Sequence, residues 1–294
     1  MKIVVGLPAF NEEKHIASII IKLKKITDSI IVCNDGSSDM TAEIAENMGA
    51  ILVNHPKNIG YGAAIRSIFK KAVEIDADIL VTFDADGQHH VGDIPKMTKI
   101  IENDEADMVI GSRFLDDMRE KIPTYRKIGI KAITGLANAA LKNKITDSQS
   151  GFRVYSKRVF SEIIPSESGM GVSNEILIKA SNKGFRISEI PIMVSYDGDT
   201  STHNPVSHGA SVILTTMKFI SIEHPLRFYG CAGLGFLSIG LFFIIWALQV
   251  FSQTRQIITN VTLIGFGASL IGVMLVMTAI QLYSIVSLIR EQRQ

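Results

Sequence analysis

Two aspartates, Asp84 and Asp86, have the spacing in this chain that most clearly suggests chemistry. They follow the apolar run 79–83, and Gln88 adds a further oxygen nearby. Oxygen-only ligands select Mg²⁺ or Mn²⁺, which could bridge diphosphate oxygens and stabilise the charge that develops on a leaving nucleotide. Aspartates are also common in turns, so the pair could be turn chemistry alone. The position at the end of a buried strand favours the metal site.

Two further segments have compositions that suit a nucleotide. Asp35 follows another apolar run and could accept the ring N–H of a nucleobase, although Asp-Gly-Ser is also ordinary turn and helix-cap chemistry. The glycine-rich segment 58–62 precedes a helical pattern but matches neither a Walker motif nor the dinucleotide fingerprint. It could let the backbone approach a nucleotide, or it could be only a turn.

The elements that must position these residues alternate along the first 200 residues. Short β-type runs are predicted at 3–7, 29–33, 50–53, 78–83 and 107–111, and amphipathic helical patterns at 12–25, 41–48, 62–75 and 94–103. This alternation predicts an α/β domain with a mostly parallel sheet, in which ligands bind beyond the carboxyl ends of the strands. The polar segments after the first, second and fourth runs should therefore converge on one rim. Residues 115–123 have no clear period and are predicted to form a loop that could act as a lid.

Composition excludes several classes of function. The chain has 294 residues with 30 Lys and Arg against 29 Asp and Glu, so it lacks the basic excess that nucleic-acid binding needs. Its two cysteines, Cys33 and Cys231, cannot form a disulfide framework and suit a reducing compartment. The first apolar run is too short for a signal peptide. These features place the N-terminal part in the cytosol.

Two long apolar segments, 228–251 and 261–289, end the chain. A helix of about 24 residues rises roughly 36 Å and can cross a hydrocarbon core of about 30 Å. Lys218 and Arg227 precede the first segment, Arg290 follows the second, and Arg255 stands in the connection. The positive-inside rule then predicts a multi-pass protein of the cell membrane or its equivalent, with the catalytic domain and both termini cytoplasmic. A pair of buried core helices is the alternative.

Two smaller features concern the membrane part. Residues 205–227 carry apolar positions at helical spacing, which fits either an interfacial helix on the membrane or a helix packed on the soluble domain. Ala268 and Gly272 form a small-residue spot where another helix could pack closely, and a homo-oligomer is compatible with this. The predicted organisation is a domain over 1–204, a linker helix over 205–227 and transmembrane helices over 228–251 and 261–289.

A set of motifs resembles a known family when taken in order. The motifs are Pro8-Ala9-Phe10-Asn11-Glu12-Glu13, Asp35-Gly36-Ser37-Ser38-Asp39, Asn58-Ile59-Gly60-Tyr61-Gly62, Asp84-Ala85-Asp86-Gly87-Gln88, Gly111-Ser112-Arg113-Phe114 and Asp147-Ser148-Gln149-Ser150-Gly151-Phe152-Arg153. Together they resemble family 2 inverting glycosyltransferases of the GT-A fold, in the branch of dolichyl-phosphate mannose synthases and polyprenyl-phosphate glycosyltransferases. The resemblance covers roughly residues 1–200, and the two C-terminal apolar segments also suit this branch.

The resemblance implies roles for individual residues. The nucleotide would be bound by Pro8, Phe10, Glu12, Asp35, Asp84 and Ala85. The metal, Mg²⁺ or Mn²⁺, would be held by Asp84, Asp86 and Gln88. Arg113 and Arg126 would grip a polyprenyl or dolichyl phosphate, which the planar guanidinium suits. The acceptor side would be shaped, on weaker grounds, by Ser150, Gly151, Phe152, Arg153 and Glu175.

The implied reaction is transfer of a hexose of the mannose, glucose or N-acetylglucosamine type from a GDP- or UDP-sugar to the lipid phosphate, with inversion. In the mannose synthases, basic residues that help to hold the donor diphosphate lie in the region that corresponds to 195–204. In this chain the region contains no Arg or Lys, and His203 is its only candidate cation, so a UDP-sugar stays open as the donor beside GDP-mannose. One rival is a processive polysaccharide synthase, but its Gln-x-x-Arg-Trp motif does not fit Trp246 inside an apolar segment. The other rival is a membrane protein that binds a nucleotide-sugar without catalysis.

Overall fold

A computed structural model describes residues 1–115, 124–193, 213–214, 216–218, 220–222 and 224–291, without the side chains of 124–126 and 289–291. The chain divides into two compact units, Met1–Thr216 and Met217–Gln294. The expected loop over 115–123 therefore lies outside the described residues beyond 115. The same holds for 195–204 and for much of the linker 205–227.

The first unit is built on a seven-stranded sheet with the order β3-β2-β1-β4-β6-β5-β7. Its strands are β1 (Ile3–Ala9), β2 (Ile30–Asn34), β3 (Ile51–Asn54), β4 (Ile79–Thr82), β5 (Met108–Ser112), β6 (Arg153–Ser156) and β7 (Ile187–Pro191). The pairs among β1 to β4 are parallel, as is the pair β5–β7, whereas β6 runs antiparallel to both neighbours. The mostly parallel sheet is thus confirmed, with one inserted antiparallel strand.

Helices cover both faces of the sheet. They are α1 (Ile16–Leu23), α2 (Thr41–Asn47), α3 (Tyr61–Glu74), α4 (Ile94–Glu102), α5 (Thr124–Asn138), α6 (Lys157–Glu162) and α7 (Val172–Asn182). The buried strands are mostly apolar, and alternate residues serve different cores. Val4 and Leu80 pack with α3, α6 and α7, whereas Val5 and Val81 pack with α1, α2 and α4. Each helix therefore needs only one apolar stripe.

Helix α3 lies unusually close to the first strand. A side chain at Gly6 would overlap the Ile68 side chain of α3, so this glycine permits the close approach. Ile65, Ile68 and Ala72 repeat at helical spacing and are all buried. The contact places the N-terminal end of α3, and with it Tyr61, at the carboxyl edge of the sheet.

The second unit is a hairpin of two long helices, α8 (Cys231–Thr254) and α9 (Thr259–Glu291), preceded by a π-helical turn, Leu226–Gly230. Both helices are long and apolar enough to cross a membrane, and their most apolar windows are only 11% and 17% buried. Helices in the core of a soluble protein would be mostly buried, so the alternative of two core helices is not supported.

Small residues set the distance between α8 and α9. Gly240 lies against Gly265 and Gly233 lies against Gly272, so the helices run antiparallel. A Cβ at Gly240 would lie 2.9 Å from the Gly265 carbonyl oxygen, and a Cβ at Gly272 would lie 2.9 Å from that of Gly233. The small-residue spot expected at Gly272 is thus used within the hairpin.

Candidate functional site

The carboxyl ends of β2, β1 and β4 lie side by side at one edge of the sheet. The loops that leave β1 and β2 are bonded to each other: the Asn11 amide N–H donates to Ser37 Oγ at 2.9 Å, and the Glu12 amide N–H donates to Thr41 Oγ1 at 2.7 Å. Asn11 has a φ of 57°, in the left-handed region that asparagine tolerates better than most residues. This convergence on one rim is what the strand pattern predicts.

Asp84 lies at the centre of this rim. Its Oδ1 accepts a hydrogen bond from the Tyr61 hydroxyl at 3.1 Å, and its Oδ2 lies 3.2 Å from His89 Nε2. Burial works against ionisation, but the bonds from His89 and Tyr61 and the charge of Arg113 hold the pKa of Asp84 below its ordinary value. Asp84 is therefore held as a carboxylate.

The ring of His89 is fixed by two aromatic neighbours. It packs edge-on against Phe83, with ring centroids 5.7 Å apart, and at a tilt against Phe152, with centroids 5.5 Å apart. Its Nδ1 is buried and makes no hydrogen bond to the part of the chain that the structure describes. Because an ionised Asp84 accepts hydrogen bonds only, the Nε2–H of His89 is the donor in this contact. His89 is thus a partner of Asp84.

Asp86 has the opposite electrostatics. Burial, and then the charge of Asp84, raise the pKa of Asp86, although its Oδ1 accepts the Gln88 amide N–H at 3.0 Å. The described residues contain no group of three or more His, Cys, Asp or Glu side chains placed to hold a metal ion. Two neighbouring carboxylates suit Mg²⁺ or Mn²⁺ nonetheless, because such ions commonly take one or two protein carboxylates and complete their shell with water and phosphate oxygens. The residues present fit a divalent ion.

Glu12 adds a third carboxylate to the rim. Its Oε2 lies 3.2 Å from His15 Nδ1. Burial raises the pKa of Glu12, and the charges of Asp86 and Asp39 add to this. Phe10 is 41% exposed, whereas Pro8 is half-buried and Ala85 is buried. The residues expected to bind a nucleotide are therefore brought to one edge, and their binding role stays a prediction.

Asp35 is almost wholly buried, with 5% of its side chain exposed. Its Oδ1 lies 2.6 Å from His55 Nδ1 and accepts the Ile59 amide N–H at 3.0 Å, and its Oδ2 accepts the Gly60 amide N–H at 2.8 Å. The carboxylate thus anchors the glycine-rich loop 58–62. Gly60 has a φ of 112°, which favours glycine, and a side chain there would overlap the Ser168 carbonyl oxygen.

Arg113 lies directly after β5 and is held by a buried carboxylate. Its Nε and Nη2 donate to the two oxygens of Asp147 at 2.6 and 2.8 Å. Burial would raise the pKa of Asp147, but the Arg113 charge and hydrogen bonds lower it below the ordinary value. Arg126 lies in α5, and its side chain is outside the described residues.

Three of the residues expected to shape the acceptor side have buried side chains that are used within the protein, and their role toward an acceptor stays a prediction. The Arg153 guanidinium is 1% exposed and donates to the carbonyl oxygens of Ser150, Ser173 and Ser148. Phe152 belongs to the core. Glu175 is fully buried, accepts the Ser166 and Glu167 amide N–H groups and pairs with Lys179.

Ser150 and Gly151 lie at the edge of the same segment. Ser150 is buried, and its Oγ has no hydrogen-bond partner in the described part of the chain. A side chain at Gly151 would overlap the Asp84 carboxylate and come within 2.7 Å of the Tyr61 hydroxyl. Gly151 therefore lets Asp84 take its place beside the loop.

Sequence reasoning did not identify the partners of the key groups, namely Tyr61, His89, His55 and Asp147. Tyr61, His89 and Asp147 stand inside or beside the recognised motifs, which was the available signal. His55 lies between the end of β3 and the motif 58–62, outside that motif, and the pairing of β2 with β3 places it against Asp35. The roles of Tyr61, His55 and Asp147 come from contacts between residues 20 to 34 positions apart, whereas His89 lies five residues after Asp84.

Comparison with known proteins finds a matching family model and similar proteins that carry names. The family model of glycosyl transferase family 2 matches residues 4–164. A UDP-N-acetylglucosamine–dolichyl-phosphate N-acetylglucosaminyltransferase of Methanococcus voltae is 34% identical over 230 residues, which cover 71% of this chain and 89% of the relative. A dolichyl-phosphate hexose transferase of Haloferax volcanii is 31% identical over 225 residues, covering 76% and 95%.

A solved structure confirms the fold. The glucosyl-3-phosphoglycerate synthase of Mycobacterium tuberculosis, crystallised with Mn²⁺ and UDP-glucose, superposes with a TM-score of 0.58 at 21% identity, covering 75% of this chain and 78% of that one. At this identity the likeness shows the GT-A fold alone. It leaves the ligands of the present chain to be argued from its own residues.

Proposed function

We propose that this chain, which belongs to glycosyl transferase family 2, transfers a hexose of the mannose, glucose or N-acetylglucosamine type from a nucleotide-sugar to a dolichyl or other polyprenyl phosphate. The chain is a glycosyltransferase by its family; the lipid acceptor is the inferred part. Two relatives that are named as dolichyl-phosphate sugar transferases support this acceptor. One of them is named for UDP-N-acetylglucosamine, so we place UDP-sugars ahead of GDP-sugars.

The observation that carries the proposal is the neighbourhood of Asp84. The Asp84 carboxylate is near enough to Asp86 to raise the pKa of Asp86. Burial would raise the pKa of Asp84 itself, but hydrogen bonds from His89 and Tyr61 and the positive charge of Arg113 lower it. A pair of carboxylates and an arginine are the groups needed to hold, respectively, a metal diphosphate and a phosphate acceptor. A protein that only bound a nucleotide-sugar would need no arginine for an acceptor, and Arg113 would then serve only as the partner of the buried Asp147.

The acceptor in this proposal needs little chemical activation. A polyprenyl phosphate is already an anion near neutral pH, so its oxygen can attack the anomeric carbon without a general base. The C–O bond to the nucleotide diphosphate breaks as the new bond forms, with inversion at that carbon. Arg113 and Arg126 would orient the phosphate, and the rim residues would orient the donor, which is catalysis by positioning and charge stabilisation.

A divalent ion would be held by Asp84, Asp86 and Gln88. When bound, Mg²⁺ or Mn²⁺ would stabilise the negative charge on the departing diphosphate. Solved structures of the glucosyl-3-phosphoglycerate synthase contain such ions together with UDP, which supports the assignment by fold. The raised pKa of Asp86, caused by burial and by Asp84, fits a carboxylate that gains from a neighbouring cation.

The membrane arrangement is part of the proposal. Helices α8 and α9 would cross the bilayer, with the first unit and both ends of the chain in the cytoplasm. The catalytic domain would comprise residues 1–204, followed by the linker 205–227 and the spans 228–251 and 261–289. The anchor would keep the site near the depth at which the lipid phosphate emerges.

A donor screen tests the function. Purified full-length protein is incubated with a short polyprenyl phosphate, Mn²⁺ and each of UDP-glucose, UDP-N-acetylglucosamine and GDP-mannose, and the lipid products are measured by mass spectrometry. We expect one donor to yield a glycosyl phosphoester. Failure of every donor, with free nucleotide still bound by the protein, would support the non-catalytic alternative.

Metal dependence is tested by substitution of Asp86. We expect Asp86→Asn to lower the rate of transfer by roughly 10²-fold or more, because charge stabilisation at the leaving group is lost. Titration calorimetry in the presence of UDP should show that Asp86→Asn binds Mn²⁺ more weakly than wild type does. The control is Asp93→Asn, since the Asp93 carboxylate pairs with Lys96 at the start of α4. Equal activity of Asp86→Asn and wild type, or full activity in EDTA, would contradict the metal site.

A further inference from the structure

His55, the residue that follows β3, contacts the side chains of Asp35, Ser67 and Cys33. Its Nδ1 lies 2.6 Å from Asp35 Oδ1, and its Nε2 lies 2.8 Å from Ser67 Oγ and 3.6 Å from Cys33 Sγ. The histidine and aspartate side chains are only 10% and 5% exposed. A buried chain of this kind fixes the direction of every member.

The contacts decide which nitrogen of His55 carries the proton. A carboxylate only accepts hydrogen bonds, so Nδ1 of His55 must be the donor to Asp35. In a neutral ring, Nε2 then accepts a hydrogen bond from the Ser67 hydroxyl. Burial, followed by the charge of Asp35, raises the pKa of the Cys33 thiol to about 12. The thiol therefore remains protonated and brings no second negative charge to the cluster.

Asp35 has a limited number of places for hydrogen bonds. An ionised carboxylate has about four lone-pair sites. In this structure Asp35 accepts bonds from His55 and from the Ile59 and Gly60 amide groups. About one site is left, which suits a single N–H. The bases uracil and guanine carry a ring N–H, whereas cytosine and adenine do not.

We propose that His55 is the positioning residue that orients Asp35, so that this carboxylate clamps the glycine-rich loop and keeps one lone pair for the ring N–H of a uracil or guanine base. His55 does not touch the nucleotide itself. It determines base selectivity through Asp35, and the hydrogen bond between Ser67 and Nε2 helps to hold the His55 ring in this orientation. This inference rests on the proposed function, because it requires a nucleotide donor at this edge.

A pair of amide substitutions separates the two ring nitrogens. In His55→Asn the side-chain amide nitrogen can take the place of Nδ1 and still donate to Asp35, whereas in His55→Gln it reaches toward Nε2 and Ser67. Dissociation constants for UDP, GDP, CDP and ADP are measured by calorimetry on the full chain with Mn²⁺. Melting temperatures are recorded for every variant.

We expect His55→Asn to bind UDP or GDP within about threefold of wild type, and His55→Gln to bind about 10- to 100-fold more weakly, which is the worth of a hydrogen bond to a charged group. The preference for UDP or GDP over CDP and ADP should shrink in His55→Gln. A purely structural role would lower the melting temperature without changing this ratio. The KM for the sugar donor should rise while kcat changes little, because a contact to the base is made equally in the ground and transition states.

Two results would overturn the inference. One is base selectivity in His55→Gln equal to that of wild type, and the other is equal loss of binding in both amide variants at equal melting temperatures. If neither His55 variant folds, Ser67→Ala provides the test: we expect UDP or GDP binding about two- to fivefold weaker, and unchanged binding and selectivity would overturn the inference.

The outcome for the proposed function remains separate. Wild-type protein that binds none of the nucleotides would overturn both the proposed function and the role of His55. Wild-type protein that binds UDP or GDP and glycosylates the lipid, with His55→Gln behaving in the same way, would overturn only the role of His55.

Discussion

The ion pair of Arg113 and Asp147 shows how one buried residue can fix the direction of a charged side chain near Asp84. Asp147 is fully buried, and the guanidinium of Arg113 is 14% exposed. A buried charge pair costs much desolvation energy, so its presence argues less for stability than for a fixed direction of the arginine. Arg113 is thereby held beside Asp84, whose pKa its charge helps to lower against the effect of burial.

Removal of the Asp147 charge tests whether the fold and the position of Arg113 depend on this ion pair. We expect Asp147→Asn to destabilise the fold by about 3–5 kcal/mol, because the partner charge is left uncompensated. Lipid glycosylation should fall in the molecules that remain folded. The measurements are denaturant unfolding and the transfer rate. A variant with wild-type stability and activity would contradict the structural role of the pair.

The same pair predicts a pH dependence of stability. Burial raises the pKa of Asp147, but the Arg113 charge and the hydrogen bonds from Arg113 and the Gln149 amide together outweigh burial and leave the folded-state pKa below the ordinary value of 3.8. The stabilisation is therefore complete above pH 3.8 and is lost as the pH falls through the lower folded-state value. In unfolding experiments, wild type should lose this contribution in acid, whereas the difference between wild type and Asp147→Asn should shrink there. A difference that does not change with pH would contradict the assignment.

Gly151 offers a second test at the residue scale. We expect Gly151→Ala to displace the Asp84 carboxylate, which a Cβ at this position would overlap, and so to weaken Mn²⁺ binding and transfer by roughly tenfold or more. The control is Gly135→Ala in α5, where a Cβ would meet no atom within 4 Å. Mn²⁺ binding is measured by electron paramagnetic resonance. Equal binding in the two variants would show that Asp84 tolerates the methyl group.

At the scale of elements, helices α8 and α9 depend on glycines at their contact. The close approach at Gly240 and Gly265 leaves no room for a side chain, and Ser269 stands at the same place. Packing through small residues is a common way for helices to associate in lipid, where burial of apolar surface gives no advantage. The hairpin should therefore respond to the size of these residues rather than to their polarity.

Substitution on the two sides of α8 tests this. We expect Gly240→Leu to destabilise the hairpin by about 1–3 kcal/mol, the usual cost of overpacking. Gly235→Leu on the same helix should have little effect, because a Cβ there would meet no atom within 4 Å. Thermal unfolding in detergent micelles compares the two variants. Equal melting temperatures would contradict the close contact at Gly240.

At the scale of the whole molecule, the two units would serve different solvents. The first unit has two apolar cores around a sheet, and the second exposes most of its apolar side chains. Large exposed apolar surfaces mark contacts with proteins or membranes. The length and composition of α8 and α9 favour the membrane.

Labelling of single cysteines tests the orientation. In a Cys231→Ser background, we expect Gln256→Cys, in the α8–α9 connection, to react with an impermeant maleimide on intact cells. Lys218→Cys should react only after the cells are permeabilised. Cys33 is fully buried and should contribute no signal. The reverse pattern would place the catalytic domain outside.

Much of the fold could be predicted from the sequence, because apolar periodicity depends on residues that are neighbours along the chain. The predicted runs at 3–7 and 78–83 correspond to β1 and β4, and the pattern at 94–103 corresponds to α4. The Asp84 and Asp86 pair could be identified because its motif is local. The strand β6 is absent from the sequence prediction, since its four residues include Arg153, whose burial is made possible by hydrogen bonds to the carbonyl oxygens of Ser148, Ser150 and Ser173.

The sequence by itself determined the fold class, the two apolar helices and the positions of the acidic and basic residues at strand ends. Only the tertiary structure decided which of these residues lie at the rim of the sheet and which are buried in bonds within the protein. Asp35 and His55 meet because β2 and β3 are adjacent, Glu175 accepts the Ser166 amide N–H, and Arg153 donates to the Ser173 carbonyl oxygen. The physical reason is that hydrogen bonds and burial join groups that are close in space, whereas composition and periodicity record only what is close along the chain.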